Sequence, residues 1–166
     1  MAKAKIYYVM GVSGSGKTTI GELLAKKLAI PFYDGDDFHP EENVKKMAAG
    51  HPLNDEDRKS WLLRLNALSQ ENSENGAVIV CSALKQSYRN ILQKGVEDKA
   101  VFLFLSGSFE KILDRMQKRK GHFMPPDLLK SQFETLEIPN DSLSVSIDQT
   151  PENILAEILQ KLKNQP

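Results

Sequence analysis

The chain has 166 residues, with 22 Lys plus Arg against 22 Asp plus Glu and a formal net charge of zero. That length suits one compact domain, residues 1–166, able to bury its own core without disulfides or metals. The balanced charge excludes a global field drawing the protein to nucleic acid or an anionic membrane. No apolar run approaches the roughly 20 residues of a membrane span, so the composition predicts a soluble, cytoplasmic protein whose recognition of partners is local.

The first element is the apolar run "KIYYVM" (5–10), too short for a signal-peptide core and leading straight into "GVSGSGKT". Residues 17–29 then carry Ile20, Leu23, Leu24 and Leu28 at helical spacing. Between strand and helix, Gly11 to Thr18 matches G-x-x-x-x-G-K-S/T, the phosphate-binding loop, in the context that motif requires. Chance would produce the bare pattern in a chain of this length roughly once in 200 sequences. Here Gly11, Val12, Ser13, Gly14, Ser15 and Gly16 offer main-chain N–H groups to anionic oxygens, reinforced by the positive end of the helix. Lys17 is expected on the β and γ phosphates of ATP, Thr18 on Mg²⁺, and Thr19 beside it.

"PFY" (31–33) reads as a short second strand, followed by "DGDDFHP" with Asp34, Asp36 and Asp37. A carboxylate about 4 Å from a phosphate is repelled by roughly 1 kcal/mol in water and about 4 kcal/mol in a partly buried site. Mg²⁺ reverses that sign, because it takes carboxylate and phosphate oxygens together. Asp34 is therefore expected on or near the metal, and Asp36 is placed to accept a proton from a substrate hydroxyl. The competing reading makes Asp34 and Asp37 caps of a helix beginning near Pro40.

Residues 41–72 read as a helix-rich insertion, with Trp61, Leu62, Leu65 and Leu68 as its core. "AVIVC" (77–81) is the third strand, where Cys81 reads as a buried thiol in preference to a catalytic one. "CSALKQSYR" follows, bringing Ser82, Lys85 and Arg89 to a strand's carboxyl end, where cations would suit a small anionic substrate or simply be surface charges. "AVFLFL" (100–105) is the fourth strand. Ser108 then caps a helix carrying Ile112, Leu113 and Met116. The stretch 115–131 sets Arg115, Lys118, Arg119 and Lys120 within six positions. It reads either as a solvated basic face or as a mobile cover whose arginines complete a phosphoryl-transfer site. His39 and His122 flank the expected cleft and can donate hydrogen bonds to hydroxyls. A weak fifth run, "LSVSI" (143–147), precedes a helix opened by Thr150 and Pro151, with Ile154, Leu155, Ile158, Leu159 and Leu162 inward. Unbroken apolar strands alternating with helices predict an α/β fold, a doubly wound parallel sheet covered on both faces.

"GVSGSGKT", "DGDDFHP", "NVKKMAAGHPLNDEDRKSWL", "CSALKQSYR" and "GHFMPPDLLKSQFETLE" together resemble the gluconokinase family of small P-loop carbohydrate kinases, over about residues 6–139. The resemblance implies a five-stranded P-loop fold of the adenylate-kinase type with a mobile lid. It also implies MgATP-dependent phosphorylation of D-gluconate at its 6-hydroxyl, and a homodimer. By the same resemblance Asp36 addresses the acceptor hydroxyl, and Arg58, Lys85, Arg89, His122 and Gln132 fall in the substrate pocket. Arg115 would stack on adenine, Arg119 would reach the phosphates, and "DQTPEN" (148–153) would pass around the base. The alternatives are a shikimate or nucleoside-monophosphate kinase of the same fold, or a nucleotide-dependent switch. Against these stand "CSALK" in place of the shikimate-kinase glycine run and the absence of the N-K-x-D of GTPases.

Overall fold

The computed structural model describes residues 4–118, 126–140 and 142–164. In chain order these form β1 (Ile6–Met10), α1 (Lys17–Leu28), β2 (Phe32–Asp34), a 3-10 turn (Gly35–Phe38), α2 (Glu41–Ala48), α3 (Asp55–Glu71), β3 (Ala77–Val80) and α4 (Gln86–Gln93). There follow β4 (Ala100–Ser106), α5 (Phe109–Lys118), α6 (Pro126–Thr135), β5 (Leu143–Ser146) and α7 (Pro151–Lys163). The five strands form one parallel sheet in the order β2-β3-β1-β4-β5. β1 is central, so the loop after it opens at the carboxyl edge where doubly wound sheets bind ligands.

Strand alternation divides the core into two layers. Val9, Val78, Val80, Leu103 and Leu105 face one side, where they pack with Ile20 and Leu24 of α1, Ile112 of α5 and Ile154 and Ile158 of α7. Ile6, Tyr8, Met10, Ile79 and Phe104 face the other, against Trp61, Leu62 and Leu65 of α3 and Tyr88 and Leu92 of α4. Both faces are covered, which is why these strands read as nearly continuous apolar runs. β5 is the weak run because it lies at the sheet edge, and of its four residues only Val145 is buried.

The expected caps are present where they were read. Ser108 Oγ accepts from the Lys111 N–H at 3.2 Å, and Thr150 Oγ1 from the Asn153 N–H at 3.2 Å. The insertion is α2 and α3, and α3 opens on a reciprocal capping box: Asn54 Oδ1 accepts from the Asp57 N–H at 2.8 Å, and Asp57 Oδ2 from the Asn54 N–H at 3.0 Å. Within 115–131, α5 runs through Lys118 and α6 begins at Pro126, a helix the proline-rich sequence had hidden. Arg119, Lys120 and His122 lie outside the described residues.

Candidate active site

The phosphate loop leaves β1 and is tied to the end of β3 by the Gly11 N–H, which donates to Ser82 O at 3.3 Å. Gly16 stands at the N-cap of α1 with φ 94°, a left-handed conformation that a Cβ would strain. No side chain caps α1, and its first turn holds no acid. The first N–H donors of the helix are thus left to an external anion, with the helix dipole behind them. Ser15 turns its hydroxyl into the protein and is 1% exposed, so its part in anion binding is confined to the main chain. Thr18 and Thr19 are exposed at the opening of the helix.

Lys17 Nζ donates to Val12 O at 3.0 Å, folding the side chain back along the loop. Burial holds its pKa below the usual lysine value, while the charges of Asp36, Cys81 and Asp34 act in the opposite direction. A desolvated ammonium with carboxylates in its field is well suited to phosphate oxygens, because charge interactions strengthen where water is scarce. The Asp36 side chain is 85% exposed. Its carboxyl is raised above the ordinary range, first by the protein packed around it and then by Asp34, with His39 and Lys17 opposing. An acid shifted upward is a better proton acceptor than a free aspartate.

Asp34 is the N-cap of the 3-10 turn, its Oδ1 accepting from the Asp36 N–H at 3.0 Å. The capping expectation is therefore corrected in its target: Asp34 caps the turn that carries Asp36, and α2, with Pro40 at its N-cap, has no side-chain cap. Gly35, between the two acids, has no room for a side chain. An added Cβ would come within 2.4 Å of Val80 O and 3.4 Å of Leu65 Cδ1.

A second group lies where α3 faces α4. Tyr88 Oη donates to Asp55 Oδ1 at 2.5 Å and accepts from Arg58 Nη1 at 3.1 Å. Lys85 Nζ donates to both Asp55 oxygens at 3.3 and 3.4 Å, and both cations lie over the Tyr88 ring, at 5.7 Å for Arg58 and 5.5 Å for Lys85. The Tyr88 hydroxyl, then Lys85, holds the Asp55 carboxyl below its usual range. His39 stands between the two groups, its Nε2 3.9 Å from Asp36 Oδ1 and its ring stacked on Trp61 of α3, the helix that also carries Arg58.

Three residues expected at the substrate have their polar or ring groups engaged within the protein. Arg89 is 2% exposed and donates from Nη1 to Ala83 O at 2.7 Å and from Nη2 to Glu137 O at 2.9 Å. Its fork secures the turn that presents Lys85, where Ala83 adopts φ 47°, a strained value for a residue with a Cβ. Gln132 is turned toward the phosphate loop: the Ser13 N–H donates to its Oε1 at 2.8 Å, and its Nε2 donates to Ser13 Oγ at 3.0 Å. The His39 side chain is only 6% exposed and stacks on Trp61 at 4.3 Å and 15°, so its ring is committed to the protein and not offered to a hydroxyl. Arg115 is exposed on α5, next to Met116, whose side chain occupies the space a Cβ on Gly14 would take.

Sequence reading missed Tyr88 and Asp55 as partners of the cations, and it placed Trp61 in the core without seeing its stack on His39. "DEDRKSW" and "SYR" contain these residues, but nothing in their spacing signals a contact between helices about 30 residues apart.

Residues 13–163 match the shikimate kinase family model. The thermoresistant gluconokinase of Escherichia coli (strain K12) is 44% identical over 164 residues, covering 95% of this chain and 93% of that protein. The thermosensitive gluconokinase of the same organism is 56% identical over 136 residues, covering 80% and 72%. A crystal structure of a gluconokinase from Sinorhizobium meliloti 1021 superposes with a TM-score of 0.89 at 41% identity, covering 98% of this chain and 94% of that one. With the phosphate loop, acidic turn and cation pair assembled on a sheet of that topology, the chain belongs to the gluconokinase family.

Proposed function

We propose that this protein transfers the γ-phosphoryl group of ATP to the 6-hydroxyl of D-gluconate, releasing ADP and 6-phospho-D-gluconate. The observation that carries this reading is the phosphate loop and the acidic turn meeting at the carboxyl end of β3, with Lys17 on the one and Asp36 on the other. Lys17 is desolvated at the mouth of the loop, Asp36 is a carboxylate with raised pKa, and each lies in the other's field. Lys17 and the α1 N-terminus hold the triphosphate, and Asp36 orients the acceptor hydroxyl and takes its proton as the oxygen attacks phosphorus. Arg58 and Lys85 grip the gluconate carboxylate, taking over the charge that Asp55 now balances. Arg115 stacks on adenine, and Arg119 reaches the phosphates when the stretch 115–131 covers them.

The oxygen donors available for Mg²⁺ are the Thr18 hydroxyl and the Asp34 carboxylate, hard ligands that fit an ion carried in with substrate phosphates. When bound, the ion offsets charge on the β and γ phosphates. Among the described residues no helix is long and apolar enough to cross a membrane. The protein acts in the cytoplasm as a single-domain subunit of a homodimer.

The test is ADP release with MgATP across gluconate, other sugar acids, neutral sugars, shikimate and nucleoside monophosphates. Turnover that depends on gluconate and is near background with glucose is expected. Strong turnover with shikimate or a nucleotide in place of gluconate would overturn the substrate assignment.

A further inference from the structure

We propose that His39 is a positioning residue for phosphoryl transfer, holding the Asp36 carboxylate with an Nε2–H that Asn43 directs and Trp61 clamps. This rests on the reading of Asp36 as the acid that addresses the acceptor hydroxyl.

The chain of contacts begins in α3. The Asp57 carbonyl can only accept, so the Asn43 atom lying 2.9 Å from it is the amide nitrogen. The same Nδ2 lies 3.4 Å from His39 Nδ1. Nδ1 is therefore the acceptor, and the neutral ring carries its proton on Nε2. That nitrogen faces Asp36 Oδ1 at 3.9 Å. Burial lowers the His39 pKa, so the interaction is that of a neutral N–H with a carboxylate. Such contacts are long in the free enzyme and shorten as the reacting complex assembles.

The ring cannot swing away. It lies against Trp61 at 4.3 Å with the two ring planes nearly parallel, and its partner Asn43 is 3% exposed. Trp61 in turn donates from Nε1 to Gly35 O at 2.7 Å, inside the turn that bears Asp36. One indole thus fixes both the backbone before Asp36 and the imidazole beside its carboxylate. A phenylalanine would fill the space over Trp61 equally well. Of the two ring nitrogens, Nδ1 takes the Asn43 amide and Nε2 is turned to Asp36.

The experiment is steady-state kinetics on the full chain with MgATP and gluconate. His39→Phe keeps the stack and removes both nitrogens; kcat falls on the order of 10- to 100-fold, the scale of misplacing a reacting group, while KM for ATP is unchanged. His39→Gln, whose amide nitrogen lies as many bonds from Cα as Nε2, recovers most of that loss. In an Asp36→Asn background His39→Phe costs nothing further, because the two residues act as a unit. Wild-type kcat in His39→Phe, no recovery in His39→Gln, or full additivity with Asp36→Asn each refutes the proposal. An Asp36→Asn enzyme with undiminished kcat instead refutes the underlying role of Asp36, a separate outcome. Should His39→Phe not fold, Asn43→Leu removes the directing amide and leaves the stack; it too must lower kcat without raising KM for ATP, and wild-type kcat there refutes the proposal.

Discussion

Gln132 and Ser13, 119 residues apart, exchange two hydrogen bonds, so that α6 is fastened directly to the phosphate loop. The Ser13 N–H is one of the donors expected to serve phosphate, and in this structure the Gln132 amide oxygen engages it. Gln132→Leu removes both bonds and alters the loop that must cradle the triphosphate. The variant is expected to lose about 1–2 kcal/mol of stability and to shift KM for ATP several-fold, with a much smaller change in KM for gluconate. Thermal melting and paired substrate titrations check this; a shift confined to gluconate would return Gln132 to the acceptor pocket.

Asp36→Asn preserves shape and removes the proton acceptor. A loss of kcat of roughly 10²- to 10⁴-fold is expected, with the Kd for MgATP, measured by calorimetry, nearly unchanged. Parallel loss of MgATP binding would assign Asp36 to the metal and leave the hydroxyl to another group.

Arg89 and Lys85 separate two uses of positive charge. Arg89→Leu strands the Ala83 and Glu137 carbonyls, and a loss of about 2–4 kcal/mol in urea denaturation is expected. Lys85→Met, at a partly exposed site, is expected to leave the denaturation midpoint almost unmoved and to raise KM for gluconate roughly 10- to 100-fold. The reverse pattern would exchange their roles.

Cys81 is 3% exposed, and burial pushes its thiol up to about 12. Near pH 8 about one thiol in ten thousand is ionised, so a thiol reagent is expected to label the native protein only as fast as it opens. Labelling should become complete in denaturant, with activity retained until then. Rapid labelling of the native enzyme would contradict the buried reading.

The phosphate loop and the sheet were legible because each depends on neighbours in sequence: glycines before a Lys-Thr pair, apolar runs of strand length, Ser108 and Thr150 before their helices. The acidic turn was half legible. Its three aspartates stand out in the sequence, but Asp34 capping its own turn depends on a backbone path that composition does not reveal. The contacts of Arg89 were not legible because a cation near a strand end looks the same on paper whether it faces solvent or spans two carbonyls. His39 and Trp61 were read separately because their stack joins a loop to a helix 22 positions later. Gln132 is further still from Ser13, and only the packing of α6 brings them together.

At Gly35 the main chain of the acidic turn lies so close to Val80 O that even a methyl group is excluded. The Gly11 N–H is bonded to Ser82 O, two residues beyond that same carbonyl. Donor and acceptor are therefore gauged from one edge of β3, like two tools bolted to a single rail. The strand that sets both positions is itself held on either side, between β2 and β1.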